Sequence, residues 1–181
     1  VYRALEKYFP TWVGYNMAKC GGCIRACVSM LEKKGGCMEG RFEKPLRTGK
    51  PVSGEVIMDY AMDCLSYNET TRDWRVHNGI DIAAEAGTTV SAAAAGTVKD
   101  VFKDDTMGYT VVIQHEGGYA TQYASLAETV SVKVGDTVAM GDTIGTVDNT
   151  ALLETAQGDH LHFSVTLNDE PIDPVAFLNM E

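Results

Sequence analysis

The sequence has no run of apolar residues that approaches the roughly 18 needed to cross a bilayer. Residues 1–20 also lack the uninterrupted apolar centre of a secretory signal peptide. The chain begins with Val rather than Met, which suggests a fragment whose targeting segment lies upstream or was removed. Neither a membrane anchor nor an export signal is therefore predicted within these 181 residues.

Basic residues are scarce after residue 50. Residues 51–181 carry five Lys/Arg and 21 Asp/Glu, whereas residues 1–50 carry ten and four. Because nucleic acids and anionic lipids are bound by neutralising phosphates, the longer part is a poor partner for either. Four of the five cysteines also lie in the first part. We therefore predict two pieces, a basic Cys-rich segment over 1–50 and a separate domain over 51–181.

Turns and short strands dominate the pattern after residue 50. Residues 110–114 are rich in β-branched side chains, a glycine pair follows at 117–118, and residues 119–126 form the returning strand. Apolar and polar residues alternate over 130–134, which predicts a further half-buried strand. Before the boundary, residues 24–34 are predicted to form a short helix that ends at a glycine pair.

A weak internal repeat supports an antiparallel β fold. Residues 87–90 lead to 96–98 much as residues 135–138 lead to 145–147, each with a Gly at the start of both pieces. Such a duplication suits two similar crossings of a sandwich or open barrel. We predict a mainly β domain with a short helical Cys-rich segment before it.

Two histidines share one face of a predicted strand over 160–165. Alternation sends Leu161 and Phe163 into the core and places His160 and His162 on the opposite face, about 6–7 Å apart. This spacing suits two metal ligands, or one ligand beside a proton-handling group. The alternative is a pair of solvent-exposed strand histidines.

His77 and Asp81 form a second candidate pair. They are separated by three residues, and Gly79 between them permits a tight bend, so both side chains could reach one ion. Catalytic zinc commonly has three protein ligands plus water, and two histidines with one aspartate are an acceptable set. His77, Asp81 and one of the two strand histidines would complete it.

These elements occur in the order of a known family. The chain resembles the LytM/lysostaphin-like peptidoglycan endopeptidases over about 51–177, through His77-x-x-x-Asp81, Gly87-Thr88-Thr89-Val90, Gly96-Thr97-Val98, Tyr123-x-x-Leu126, Val134-Gly135-Asp136 and His160-Leu161-His162-Phe163. The resemblance implies a LytM-type β fold with Zn²⁺ held by His77, Asp81 and His162. It further implies that His160 lies beside the ligands and assists catalysis, and that the substrate is peptidoglycan peptide.

One position departs from the family pattern. Active members carry a second catalytic histidine in Tyr-x-His-Leu, and here Ser125 stands at that position. A serine hydroxyl does not titrate near neutrality, so the departure implies weak or lost catalysis. The resemblance assigns His115 a structural role, and Asp159 is interpreted as a solvated turn residue rather than as a partner that orients His160.

The approach to the site resembles a narrower group, the stage II sporulation protein Q type of clostridia. The resemblance rests on Asp59-Tyr60, Asp63, Tyr67, Thr70-Thr71, Trp74 and residues 77–82. Members of this group often lack catalytic residues and bind stage III sporulation protein AH across the intermembrane space around the forespore. The alternative to an enzyme is therefore a partner-binding module, and both alternatives imply a location outside the cytoplasm.

The cysteine segment permits a third interpretation. Cys20, Cys23 and Cys27 have the spacing of part of a 4Fe-4S motif, distantly like an iron–sulfur domain of reductive dehalogenases. Val28 stands where such motifs usually have Pro, and no cysteine precedes Cys20. A remnant that retains reactive thiols is therefore favoured over an intact cluster.

Overall fold

The computed structural model describes residues 46–179. Their twelve strands are β1 (Val56–Met58), β2 (Ala61–Asn68), β3 (Asp73–His77), β4 (Gly79–Ala83), β5 (Thr89–Ser91), β6 (Gly96–Asp104), β7 (Gly108–Gln114), β8 (Tyr119–Leu126), β9 (Thr137–Val138), β10 (Thr143–Thr146), β11 (His160–Leu167) and β12 (Glu170–Ile172). One short helix, α1, spans Pro174–Leu178. The predicted helix over 24–34 and the cysteines at 20, 23 and 27 lie outside the described residues, and the boundary near residue 50 stays a prediction.

The main sheet has the strand order β1-β4-β11-β8-β7-β6-β9, and β12 pairs with the C-terminal part of β11. Every pairing in it is antiparallel. Two small antiparallel pairs accompany it, β5 with β10 and β2 with β3. The predicted antiparallel β class is confirmed.

The central strands are buried on both faces. In β11, Leu161, Phe163 and Val165 enter the hydrophobic core, where they join residues of β4, β7 and β8. The alternate residues His160 and His162 are also buried, at 1% and 2% exposure. The alternation predicted for this strand is therefore correct, and the polar face of β11 is covered by other parts of the chain rather than by solvent.

Three strand predictions can be compared with the fold. β7 contains the predicted strand over 110–114, and β8 has the predicted bounds, with a 3-10 turn over Glu116–Gly118 between them. The strand predicted over 130–134 is wrong. That segment has a bend at Ser131 and a turn at Val134 and joins no sheet ladder, and Val134 is 60% exposed. The Ser131 N–H donates to the Ile144 carbonyl of β10 at 2.9 Å, but this isolated bond does not make a ladder, so alternation alone does not produce a strand.

The internal repeat corresponds to two similar turns. Gly87 and Gly135 have positive φ of 89° and 93°, a conformation that glycine adopts without steric penalty. Each is followed by a strand that begins two residues later, β5 and β9. Within residues 46–179, no helix combines the length and the apolar character that a membrane span requires.

Candidate metal centre

His162 and Asp81 face each other on neighbouring strands. They are paired residues in the register of β11 and β4, and the Nδ1 atom of His162 lies 2.8 Å from Oδ1 of Asp81. Both side chains are buried, with Asp81 fully inaccessible. Burial of an unneutralised carboxylate is costly, so this placement requires compensating charge at the same point.

His77 reaches the same point from the end of β3. Its Nδ1 lies 2.8 Å from the backbone oxygen of Asp59, and because a carbonyl can only accept, Nδ1 carries the proton. Its Nε2 lies 3.3 Å from both His162 Nδ1 and Asp81 Oδ1. A ring nitrogen that donates to a backbone carbonyl leaves the other free to bind a metal, which is the usual arrangement of metal-bound histidines.

Glu154 is a fourth donor that the sequence analysis missed. It lies between β10 and β11, directly before a 3-10 turn over Thr155–Gln157, and is 4% exposed. Its Oε1 lies 3.5 Å from His162 Nδ1 and 3.9 Å from His77 Nε2. No motif spacing connects Glu154 to the histidines. Its only distinguishing feature in the sequence is that it directly follows the short apolar run 151–153.

His160 lies beside Glu154. Its Nδ1 donates to the backbone oxygen of Gly158 at 2.8 Å, and its Nε2 is 3.1 Å from Glu154 Oε2. Burial opposes protonation of His160, but the hydrogen bonds to Glu154 and Gly158 outweigh it and raise the pKa of the imidazole. His160 therefore contacts Glu154 and is not itself one of the four donors that face the centre of the cluster.

The ionisable groups at the centre influence one another. Burial alone would raise the pKa of Asp81, but hydrogen bonds with His162 and His77 outweigh it and hold that pKa below its usual range. Burial likewise opposes protonation of His77, while Asp81 and the Asp59 carbonyl raise its pKa overall. The buried carboxylates of Asp81 and Glu154 thus favour positive charge at the centre of the cluster.

The residues present fit a divalent metal ion. His77, Asp81, Glu154 and His162 each offer one donor atom, and all four atoms lie within 4.8 Å of one another. Oδ2 of Asp81 is buried and has no hydrogen-bond partner among residues 46–179, which leaves part of its charge uncompensated. Imidazole nitrogens with carboxylate oxygens are a donor set that zinc accepts.

Ser125 is not among these four donors. It lies in β8 with a positive φ of 59°, and its hydroxyl donates to the backbone oxygen of Asp148 at 2.8 Å. Its backbone N–H donates to Met107. The serine is thus engaged with the surrounding backbone, and its correspondence to a catalytic histidine stays a prediction.

The remaining histidine lies elsewhere. His115 is buried, its Nδ1 donates to the backbone oxygen of Ala95 at 2.8 Å, and its Nε2 accepts from Thr121 Oγ1 at 2.7 Å. Burial lowers its pKa, so it is a neutral structural side chain, as expected. Asp159 is exposed and accepts a bond from the Ala86 N–H at 3.2 Å, which agrees with its interpretation as a turn residue.

A cleft opens beside the four donors. The β2–β3 pair supplies one wall and the segment before β11 another; the lining includes Met58, Ser66, Asn68, Arg75, Val76, Asn78, Met107 and Leu153, together with His77, Glu154 and His162. The outer surface of β2–β3 carries exposed apolar side chains, with Trp74 at 65% and Leu65 at 58% exposure. The β2–β3 pair thus lines the cleft with Ser66, Asn68 and Arg75 and carries its exposed apolar side chains on the outer surface.

Two relatives show the range of proteins that this chain is similar to. It is 35% identical over 117 residues to stage II sporulation protein Q of Bacillus subtilis, and the match covers 64% of this chain and 40% of that protein. It is 35% identical over 94 residues to the peptidoglycan DD-endopeptidase ShyC of Vibrio cholerae, covering 52% of this chain and 21% of that protein. The chain thus spans less than half of the length of either relative.

A solved structure and a family match agree with these similarities. The structure of the SpoIIQ–SpoIIIAH pore-forming complex contains a chain with a TM-score of 0.64 and 28% identity, and the match covers 75% of this chain and 92% of that one. The LytM-type fold inferred from the motifs is confirmed. Residues 75–174, more than half of the chain, match peptidase family M23. The chain therefore belongs to peptidase family M23.

Proposed function

We propose that this chain is a zinc-binding M23 domain directed at peptidoglycan peptide, with hydrolysis that is weak or lost. The observation that carries the proposal is the convergence of His77 Nε2, Asp81 Oδ1 and His162 Nδ1 within 3.3 Å of one another. The similarity to a peptidoglycan DD-endopeptidase supports the substrate class.

Each residue contributes a defined part of the chemistry. When bound at such a site, zinc polarises the scissile carbonyl and activates water as a nucleophile near neutral pH. The Asp59 carbonyl fixes the His77 ring with Nε2 facing the centre. His160 keeps a proton on Nδ1 through Gly158, and its Nε2 is the ring nitrogen that faces Glu154.

Ser125 accounts for attenuation of this activity. Its hydroxyl proton is donated to the Asp148 carbonyl, so the side chain offers neither a base nor a free donor for developing charge. Loss of one group that stabilises an oxyanion typically costs about 10²–10³ in turnover. Residual hydrolysis at that reduced level is what this chain would retain.

The test compares four proteins on purified sacculi: the parent and three variants. Ser125→His is expected to release soluble fragments faster than the parent, while Ser125→Ala, the matched control, is expected to stay at the parent's level. His162→Ala in the Ser125→His background should abolish release because a metal ligand is lost. Absence of release from both the parent and Ser125→His would contradict the enzyme proposal.

A second candidate function is partner binding of the sporulation type. It is favoured by the similarity to stage II sporulation protein Q and by the match to a chain solved in complex with SpoIIIAH. We propose stage III sporulation protein AH as the partner class and a location outside the cytoplasm. Binding to its soluble domain at nanomolar to micromolar dissociation constants, unchanged in His162→Ala, would support this candidate. Absence of binding at those concentrations would contradict it.

A further inference from the structure

Glu154 brings a second carboxylate to the metal centre. The residue is 4% exposed, and glutamates buried to this degree are almost always paired or bound to a metal. Oε1 faces the ring nitrogens of His77 and His162, whereas Oε2 faces His160. The two oxygens therefore have separate partners, one of which is the candidate metal position.

The distances between donor atoms suit four-coordinate binding. In a tetrahedral site with bonds of about 2.0–2.1 Å, ligand atoms are roughly 3.3 Å apart. The His77, Asp81 and His162 donors are separated by 2.8–3.3 Å, and Glu154 Oε1 is 3.5 and 3.9 Å from the two ring nitrogens. Glu154 thus stands at the distance of a fourth ligand.

The segment that carries Glu154 is held on both sides by the end of β2 and the turn that follows it. Asn68 Nδ2 donates to the Leu153 carbonyl at 3.1 Å, and the Ala156 N–H donates to Thr70 Oγ1 at 3.0 Å. Asn68 is itself buried and accepts from the N–H groups of Thr70 and Thr71, so its orientation is fixed. Asn68 is therefore a positioning residue for Glu154.

We propose that Glu154 is a fourth protein ligand, which completes the coordination of the metal and competes with any external ligand for that position. The inference rests on the proposed zinc site. Sites with four protein ligands are typically structural, whereas catalytic sites keep one position open. Glu154 is then a second cause of attenuated hydrolysis, independent of Ser125, because a substrate must displace the carboxylate to reach the metal.

The experiment uses cobalt(II) in place of zinc, with azide as the external ligand. The parent is expected to bind cobalt and to show no change in its visible spectrum at azide concentrations that shift the spectrum of Glu154→Ala. Glu154→Gln, which keeps the shape but not the charge, should weaken metal binding at least about tenfold in chelator competition, since even indirect partners of metal ligands contribute 10–100-fold. Asn68→Ala should give an intermediate azide response while every ligand is retained.

Glu85→Gln serves as the charge-matched control, because Glu85 is an exposed carboxylate outside the cluster. It should behave like the parent in both measurements. A parent that responds to azide as Glu154→Ala does, or a Glu154→Gln protein with parental metal affinity, would overturn the inference while leaving the zinc site intact. A parent that binds neither zinc nor cobalt would overturn the zinc site as well, so the two failures are distinguishable.

Discussion

Gly79 is the position where a single methyl group tests the geometry of the metal centre. It is buried in β4, next to the strand that carries His162. A Cβ at this position would lie 2.7 Å from the Phe163 carbonyl oxygen and 2.8 Å from His162 Nε2. Ordinary contact begins at 3.4 Å, so the imidazole would have to retreat by about 0.6 Å in Gly79→Ala.

This displacement exceeds what a metal site tolerates. Ligand distances at such sites hold to within about 0.2 Å, so a retreat three times larger removes His162 Nδ1 from its position. We expect the zinc dissociation constant of Gly79→Ala to rise at least about tenfold. Overpacking should also lower the free energy of unfolding of the metal-free protein by about 1–3 kcal/mol.

Gly87→Ala provides the matched control. Gly87 has a positive φ of 89°, and a Cβ added there would meet no neighbouring atom within 4 Å, so its substitution strains the backbone without touching the site. It should cost about 1–2 kcal/mol of stability and leave zinc affinity unchanged. Chelator competition and urea unfolding measure both quantities. Parental zinc affinity in Gly79→Ala would refute the reasoning.

Three further predictions concern other parts of the chain. Burial lowers the pKa of His115, so the stability that the neutral ring contributes is present above about pH 6.5 and is lost as the pH falls toward the lowered pKa. In urea unfolding of the metal-free proteins, His115→Gln should therefore lose less stability than the parent between pH 7 and 5. Equal losses in the two proteins would contradict this. Tyr123→Phe removes the acceptor of the Ala93 N–H, 2.8 Å away, and should cost about 1–3 kcal/mol in the same assay, whereas an unchanged midpoint would contradict it. Anaerobic reconstitution should leave the protein colourless, and a brown product with bound iron would show that the cysteines of residues 20–27 hold a cluster.

The sequence predicted which side chains meet at the candidate metal centre where those residues lie on regular strands. Alternation in β11 placed His160 and His162 on one face, and the antiparallel register then brings His162 opposite Asp81. Gly79 is the first residue of β4 rather than a bend, and only Asn78 separates β3 from β4, so His77 at the end of β3 stays close to Asp81. These relations depend on strand periodicity and short spacing, both of which are readable from sequence.

Other features depend on contacts between distant segments. Glu154 reaches the centre because Asn68 holds the segment between β10 and β11 through a hydrogen bond to the Leu153 carbonyl. The two residues are 85 positions apart in the sequence, so no local pattern encodes their contact. The segment over 130–134 has the alternation of a strand but makes only an isolated backbone hydrogen bond to β10, from the Ser131 N–H to the Ile144 carbonyl, so the local pattern overpredicted it. Pairing partners and loop anchors are set by the tertiary fold.

Metal content and affinity, compared between the parent and His162→Ala, test the central claim most directly. Elemental analysis of the parent should give about one zinc per chain, and chelator competition should show tight binding that is lost in His162→Ala. That result would establish the centre around His77, Asp81 and His162 as a metal site. Absence of zinc in the parent, or equal zinc content in both proteins, would contradict the account.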